Sequence, residues 1–453
     1  MTQTKENKMG TMPIGKLLFT MATPLVISML VQAFYNIVDS VFISRYSDAA
    51  LQAISYAFPA QNLMIGFATG AGVGVNALLS RSLGEKNVKK ANEVAENGVF
   101  VAMLSALLFA LFGLFGTRAF IAFQTKTPEV IATGEEYLSI CTIFSFGIFG
   151  EIMYERLMQS TGKTVYTMFT QGVGAIINII LDPILIFGYF GFPVMGAKGA
   201  AIATVVGQIV AFLLGIILNQ IYNKEIRLNF FKFKPSLKII GGIYSIGLPS
   251  IIMMSIGSIL TTSMNKILNG FKGIGDIAAS VYGVYFKLQS FAFMPIFGIN
   301  NGVIPIIAYN YGARKKERLL KTIRLSVTVI VFIMILALTV MQLLPEILLS
   351  MFEAKDEMME IGIAALRTIS LSYIFAGVCI AITSVFQALG KGNYALIMSV
   401  TRQLVVLLPA AYLLSLTGNV NAVWWAYPIA EIASVMACVI LFIRLYNKTI
   451  KPI

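Results

Sequence analysis

Histidine is absent from the 453 residues. A His-ligated metal centre and a Ser-His triad are thereby excluded, and any proton chemistry falls to carboxylates. Cysteine is scarce. Cys141, Cys379 and Cys438 all fall inside apolar runs, and an odd number there gives no disulfide framework. Charge is scarce as well: Asp, Glu, Lys and Arg make up 12% of the chain, against about 25% in soluble proteins. That shortfall excludes an ordinary soluble domain.

Hydrophobic residues, 57% of the chain, fill that gap. Repeated apolar runs of about twenty residues or more indicate an all-α polytopic membrane protein. Twelve spans are expected, at 15–43, 54–80, 95–121, 134–160, 164–188, 197–221, 239–267, 277–309, 322–345, 361–389, 393–416 and 420–445. The leading MTQTKENKMGTMPIGK runs into an apolar stretch too long for a signal-peptide core, so it reads as the approach to the first span.

The formal charge of +13 is then read by position. Lys5, Lys8 and Lys16, the Arg81–Lys90 cluster, Lys163, the Lys224–Lys238 cluster, the Arg314–Arg324 cluster, Lys391, Arg444, Lys448 and Lys451 all fall on alternate loops. The opposite loops hold only Arg45, Arg118, Lys126, Lys198, Lys266, Lys272 and Lys355. Basic residues mark cytoplasmic loops, so both termini are expected in the cytoplasm.

The chain also repeats itself. MQSTGKTVYTM (158–168) matches VFQALGKGNYAL (385–396), and SRSLGEKNVKKA (80–91) matches YNYGARKKERLL (309–320). Pro24 and Pro249 fall near the same relation. Two copies of six spans share one orientation, because six is even, and an axis along the membrane normal relates them. The expected division is a first lobe over 1–222, a linker over 223–238 and a second lobe over 239–453. The linker's interleaved Phe and Lys residues suit a segment lying on the membrane face rather than one stacking on nucleic acid.

Asp39 is the charge that stands out, because the first span around it is otherwise apolar. A carboxylate at membrane depth costs about 2.5–3.5 kcal/mol on insertion scales, which makes it a functional candidate. Gln32, Asn36 and Asp39 share one helical face, which must turn to protein or water. Pro24, early in the same span, removes a backbone hydrogen bond and permits a bend. A second stripe, Gln171, Asn178 and Asp182, lies on the fifth span, with Pro183 following. The alternative for each aspartate is a structural bond to a neighbouring hydroxyl or helix end. Asn62, Thr69 and Asn76 form a polar stripe on the second span, among glycines suited to close packing. Glu151 is a candidate cavity acid or ion-pair member, while Glu155 and Arg156 read as interfacial groups. Lys287 and Arg402 are expected to pair with Glu431 or with backbone carbonyls.

With these residues in view, the sequence resembles the MATE multidrug and toxic compound extrusion transporters over nearly its whole length. The resemblance is carried by YNIVDSVFIS (35–44), NIILDPILIFG (178–188), GAKGAAIAT (196–204) and GINNGVIPIIAYNYGA (298–313). It is similar to DinF-like members and to MepA-like pumps of Gram-positive bacteria. The resemblance implies twelve helices in two pseudo-symmetric six-helix lobes and alternating access. It also implies a transporter rather than an enzyme, exporting organic, often cationic, compounds in exchange for H⁺ or Na⁺. It places the coupling site at Asp39, Asn178, Asp182 and Thr204, with a helix bend at Pro24. Gln32, Tyr35, Asn36, Asn62, Glu151 and Gln171 are expected to line the substrate cavity. NorM-like members carry acids on the seventh and tenth spans; 239–267 and 361–389 here contain none. No cofactor or resident metal is expected beyond the coupling ion, and a bacterial plasma-membrane monomer without nucleic acid is the expected setting. A flippase for a lipid-linked saccharide is the alternative, with Lys287 and Arg402 as its basic cavity. An intramembrane aspartyl protease is disfavoured, because no GxGD-like context surrounds the aspartates.

Overall fold

A computed structural model describes residues 6–352, 354 and 356–453, with side chains for all of these except 232 and 356. Lys5 and Lys355, two of the loop lysines named above, lie outside the described residues, as does the Lys232 side chain. Helix dominates, and no strand occurs among the described residues. The helices are α1 (Ile14–Tyr46), α2 (Asp48–Gly84), α3 (Val88–Phe115), α4 (Pro128–Ile143 and Phe146–Ser160), α5 (Thr164–Phe187) and α6 (Ala197–Tyr222) in the first lobe. The second lobe has α7 (Leu237–Asn269), α8 (Gly275–Gly312), α9 (Lys316–Leu343), α10 (Asp356–Ser370 and Tyr373–Ala388), α11 (Gly392–Val400 to Leu408–Ser415) and α12 (Ala426–Leu445). Their length and apolarity suit them to cross a membrane when each bent pair counts as one span.

The bends are a departure from the sequence reading. α4 turns by 44° and α10 by 48°, at equivalent places in the two halves. No proline marks either break. In α4 the break is pinned by the buried Ser145 hydroxyl, which donates to the Ala106 carbonyl of α3 at 3.1 Å. The third span also ends earlier than expected, at Phe115, and Thr117–Gln124 forms a separate short helix.

The repeat reappears as duplicated turns. After α4, Gly162 takes φ +83°, and the Lys163 N–H donates to the Met158 carbonyl at 2.7 Å. After α10, Gly390 takes φ +73°, and the Lys391 N–H donates to Phe386 at 2.7 Å. Both are left-handed caps of the kind glycine favours. After α2 and α8 the left-handed residues are Lys86 (φ 56°) and Arg314 (φ 55°), again equivalent.

The lobes meet through small residues. Cβ atoms added at Gly298 and Gly302 of α8 would lie 2.7 Å and 3.2 Å from the backbone of Val26 and Ala22 in α1. A Cβ at Gly70 of α2 would sit 2.8 Å from the Gly247 carbonyl of α7. Nearer the helix ends, Gly84 faces the Tyr309 carbonyl and Gly312 faces the Arg81 carbonyl. These reciprocal contacts between equivalent residues lie about the pseudo-two-fold axis. At the opposite end α2 and α7 part around a cleft of about 380 Å³.

Residues 6–12, the C-terminal residues, the linker and the loops after α4 and α8 converge on this closed, basic end. The Asn7 amide donates to the Thr161 carbonyl at 3.0 Å and to Glu225 at 2.9 Å. Arg318 donates to the Met9 and Met12 carbonyls at 3.1 and 2.7 Å. Lys315 reaches the Gly10 carbonyl at 2.8 Å, and Lys316 the Lys451 carbonyl at 2.7 Å. Residues 7–12 thus tie the two lobes together. The hydrogen bond from Lys315 holds the Glu6 carboxyl below its ordinary value. That pairing therefore stabilises at neutral pH and is lost as pH falls through the lowered value. Replacing Arg318 by Ala removes two of the donors to this segment. Tryptic cleavage at Lys16 is expected to become severalfold faster, and an unchanged rate would show that the segment is held by its other contacts.

Candidate functional site

α1 and α5 pack side by side in the first lobe, and α5 packs on α6. The second pairing depends on glycine. A Cβ at Gly207 would lie 2.7 Å from the Gly174 carbonyl, so the two backbones approach closely. About one and two turns from this contact, Asn178 and Asp182 lie on the same face of α5. The Asn178 amide donates to Asp182 Oδ1 at 3.4 Å and to Thr204 Oγ1 at 3.3 Å. Three of the four residues expected to form the coupling site are therefore in one hydrogen-bonded chain, with Asp182 at 0% exposure.

Asp39 joins them through space. It is close enough for its charge to be felt at Asp182, although no hydrogen bond links the two carboxylates. Asp39 Oδ1, Asp182 Oδ2 and Asn178 Oδ1 are buried acceptors that meet no donor from the protein. Such a cluster of oxygen acceptors suits a proton or a hard, oxygen-seeking cation. Tyr35 lies beside Gln32 and within electrostatic reach of Glu151, Asp39 and Asp182, so it faces the same interior.

The other expected cavity residues are more dispersed. Asn36 is exposed and takes no part in the aspartate cluster. Asn62 lines the cleft between α2, α3 and α7, with Pro59, Met254, Ser255 and Ser258. Gln171 belongs to another group: its amide donates to Glu155 at 2.9 Å. Thr170 also donates to Glu155, at 3.3 Å, and Glu151 lies next to it. Pro24 is buried between Ala22 and Val26 on the seam with α8. It stands fifteen residues from Asp39, or about 22 Å of helix, and α1 runs unbroken through it.

Three placements correct the sequence reading. Glu155 and Arg156 are not interfacial: they are 4% and 6% exposed. Arg156 donates to Gln159 at 2.8 Å and across the lobe boundary to Asn301 of α8 at 3.0 Å. Position along a span gives depth but not which face meets the other lobe. Lys287 is exposed and lies over the Phe352 ring at 5.8 Å, and it does not pair with Glu431. Arg402 does pair with Glu431, at 3.3 Å. The two cations therefore form no shared basic cavity. Finally, α10 begins earlier than expected and takes in Glu357 and Glu360, both exposed at its start; the interior of 361–389 remains free of acids.

The sequence reading also missed a polar group opposite Asp39. Gln61 of α2 donates to the Tyr137 hydroxyl at 3.2 Å and to Cys141 at 3.5 Å, both on α4. Tyr137 and Cys141 lie within electrostatic reach of Asp39. Only the polar character of Gln61 within an apolar span could have drawn attention to it. All three cysteines are buried within the protein rather than facing lipid.

Comparison with known proteins bears on the fold and the family. A family model described as MatE matches residues 24–184 and again 249–413, one match in each lobe. The multidrug export protein MepA of Staphylococcus haemolyticus strain JCSC1435 is 26% identical over 436 residues, covering 96% of this chain and 94% of that protein. MepA of Staphylococcus aureus strain MRSA252 is 26% identical over 440 residues, covering 96% and 95%. A solved structure described as an outward-facing conformation of a multidrug resistance MATE family transporter of the MOP superfamily superposes with a TM-score of 0.92. It shares 22% identity and covers the whole of both chains. The duplicated lobes and the paired matches of the family model, one in each lobe, lead to one assignment: the chain belongs to the MatE family of membrane transporters.

Proposed function

We propose that this chain exports small organic compounds, cationic ones among them, across a bacterial plasma membrane in exchange for inward-moving H⁺ or Na⁺. Both termini lie in the cytoplasm in this reading, and the working unit is a monomer. The observation that carries it is the set of unpartnered buried oxygens on Asp39, Asp182 and Asn178. These atoms gain most when a proton or cation arrives, so ion binding is favourable there and electrically compensating.

The closed basic end and the cleft at the other end support an arrangement open away from the cytoplasm. An ion entering from that side reaches the first-lobe aspartates, and its charge cancels the repulsion between them. The lobe then contracts around α1, with bending near Pro24, and the space available to substrate shrinks. The ion shifts the equilibrium between states only by its difference in affinity for them. A tenfold shift requires about 1.4 kcal/mol, less than the cost of holding one charge at membrane depth.

Ethidium efflux from proteoliposomes, with a pH gradient or a sodium gradient imposed separately, tests the proposal. One gradient is expected to drive efflux and the other to leave it near background. Efflux driven by neither would overturn it.

A further inference from the structure

The outer surface of the first lobe carries a second hollow, remote from the aspartates. It is a groove of about 330 Å³ lined by Phe100 and Met103 of α3, Tyr154 of α4, Phe212 of α6, and Phe230 and Phe233 of the linker. Its floor is membrane-span helix, and its lid is the covalent link between the lobes. The lid is built rather than loose. Backbone N–H groups of Arg227, Asn229 and Ser236 donate to Asn92, Glu96 and Asn97 of α3, at 2.9, 2.8 and 2.9 Å. Phe233 then tilts against Phe100, with ring centroids 5.5 Å apart.

Two features identify the occupant. Along α3, away from the linker, the groove runs into an exposed apolar face of Leu104, Leu107 and Leu108. Faces of that kind on membrane spans are bathed in acyl chains. On the linker side, Lys234 follows the lining residue Phe233, and Arg227 on the linker and Lys238 in the first turn of α7 are likewise exposed. Basic side chains at this level attract anionic headgroups. We propose that the groove holds one acyl chain of an anionic phospholipid, with its phosphate against Arg227, Lys234 and Lys238. The orientation proposed above makes this a lipid of the cytoplasmic leaflet. A bound lipid at this place braces the connection between the lobes.

Native mass spectrometry of the purified full-length protein, exchanged into mixed phosphatidylglycerol and phosphatidylcholine, tests this. The protein is expected to retain one phosphatidylglycerol in preference to phosphatidylcholine. Met103→Trp, which fills the groove, should abolish that retention, while Leu108→Trp on the open lipid face should leave it intact. Arg227→Gln and Lys234→Gln should each lower the preference about fivefold, the worth of one basic residue at a membrane surface. Equal retention of the two lipids, full retention by Met103→Trp, or displacement of the lipid by ethidium would overturn the proposal. The readout is bound mass, so it stands or falls independently of transport, and maleimide labelling of an engineered linker cysteine in intact cells reports separately on orientation.

Discussion

Asp182→Asn is expected to reduce gradient-driven efflux to background, at least tenfold below wild type, while the protein still inserts and folds. Asp182 is fully buried and accepts its hydrogen bond from the Asn178 amide. Asparagine has nearly the same shape but cannot bind a proton or compensate a cation. Its Oδ1 can still accept from the Asn178 amide, so the local hydrogen bond is kept. The loss therefore falls on the coupling ion rather than on packing. Asp39→Asn is expected to have the same effect, and the double substitution should be no worse than either single one, because groups acting as a unit are not additive. Thermal unfolding separates this from simple damage. Removing a buried charge without an ionic partner costs little and can stabilise, so both variants should melt at or above the wild-type temperature. Wild-type efflux by either variant would end the case for these carboxylates as the coupling site.

The part of this cluster that was legible in the sequence rests on local geometry. Asn178 and Asp182 are four apart on one helix, and that spacing alone puts them on one face. The left-handed turns at Gly162 and Gly390 are equally local, which is why the repeat survived from sequence to structure. What could not be read depends on how helices sit against one another. The bond from Asn178 to Thr204 needs the close approach of Gly174 and Gly207. The reach of Arg156 to Asn301 needs the lobes to meet at α8. The bends in α4 and α10 carry no proline, so no single residue announced them. The two acidic groups of the first lobe are also distinct in space in a way that stripes on helices did not reveal. Gln171 turns to Glu155, and Asn178 turns to Asp182.

Closure of the basic end is the second place where a single atom should have a large effect. Gly84 and Gly312 occupy equivalent positions in the two halves, and each faces a backbone carbonyl of the other lobe, those of Tyr309 and Arg81. A methyl group at either site meets backbone, which cannot rotate aside as a side chain can. Gly84→Ala must therefore hold the lobes apart at this end. The helix end itself loses nothing, because Gly84 does not take a positive φ and Ala fits its backbone. The expected result is a protein that folds like wild type but cannot close, with efflux lowered tenfold or more. A cysteine placed at Ala77, buried beside Val73 and Ile246 on the α2–α7 seam, should become open to a membrane-impermeant maleimide from the basic end. Gly312→Ala should reproduce both effects, since the contacts are reciprocal. Gly15→Ala and Gly257→Ala, where an added Cβ meets nothing within 4 Å, should leave efflux and labelling unchanged. If Gly84→Ala transports like those controls, the two-fold seam is not where the transporter shuts, and closure must rest on the α1–α8 contact at Gly298 and Gly302 instead.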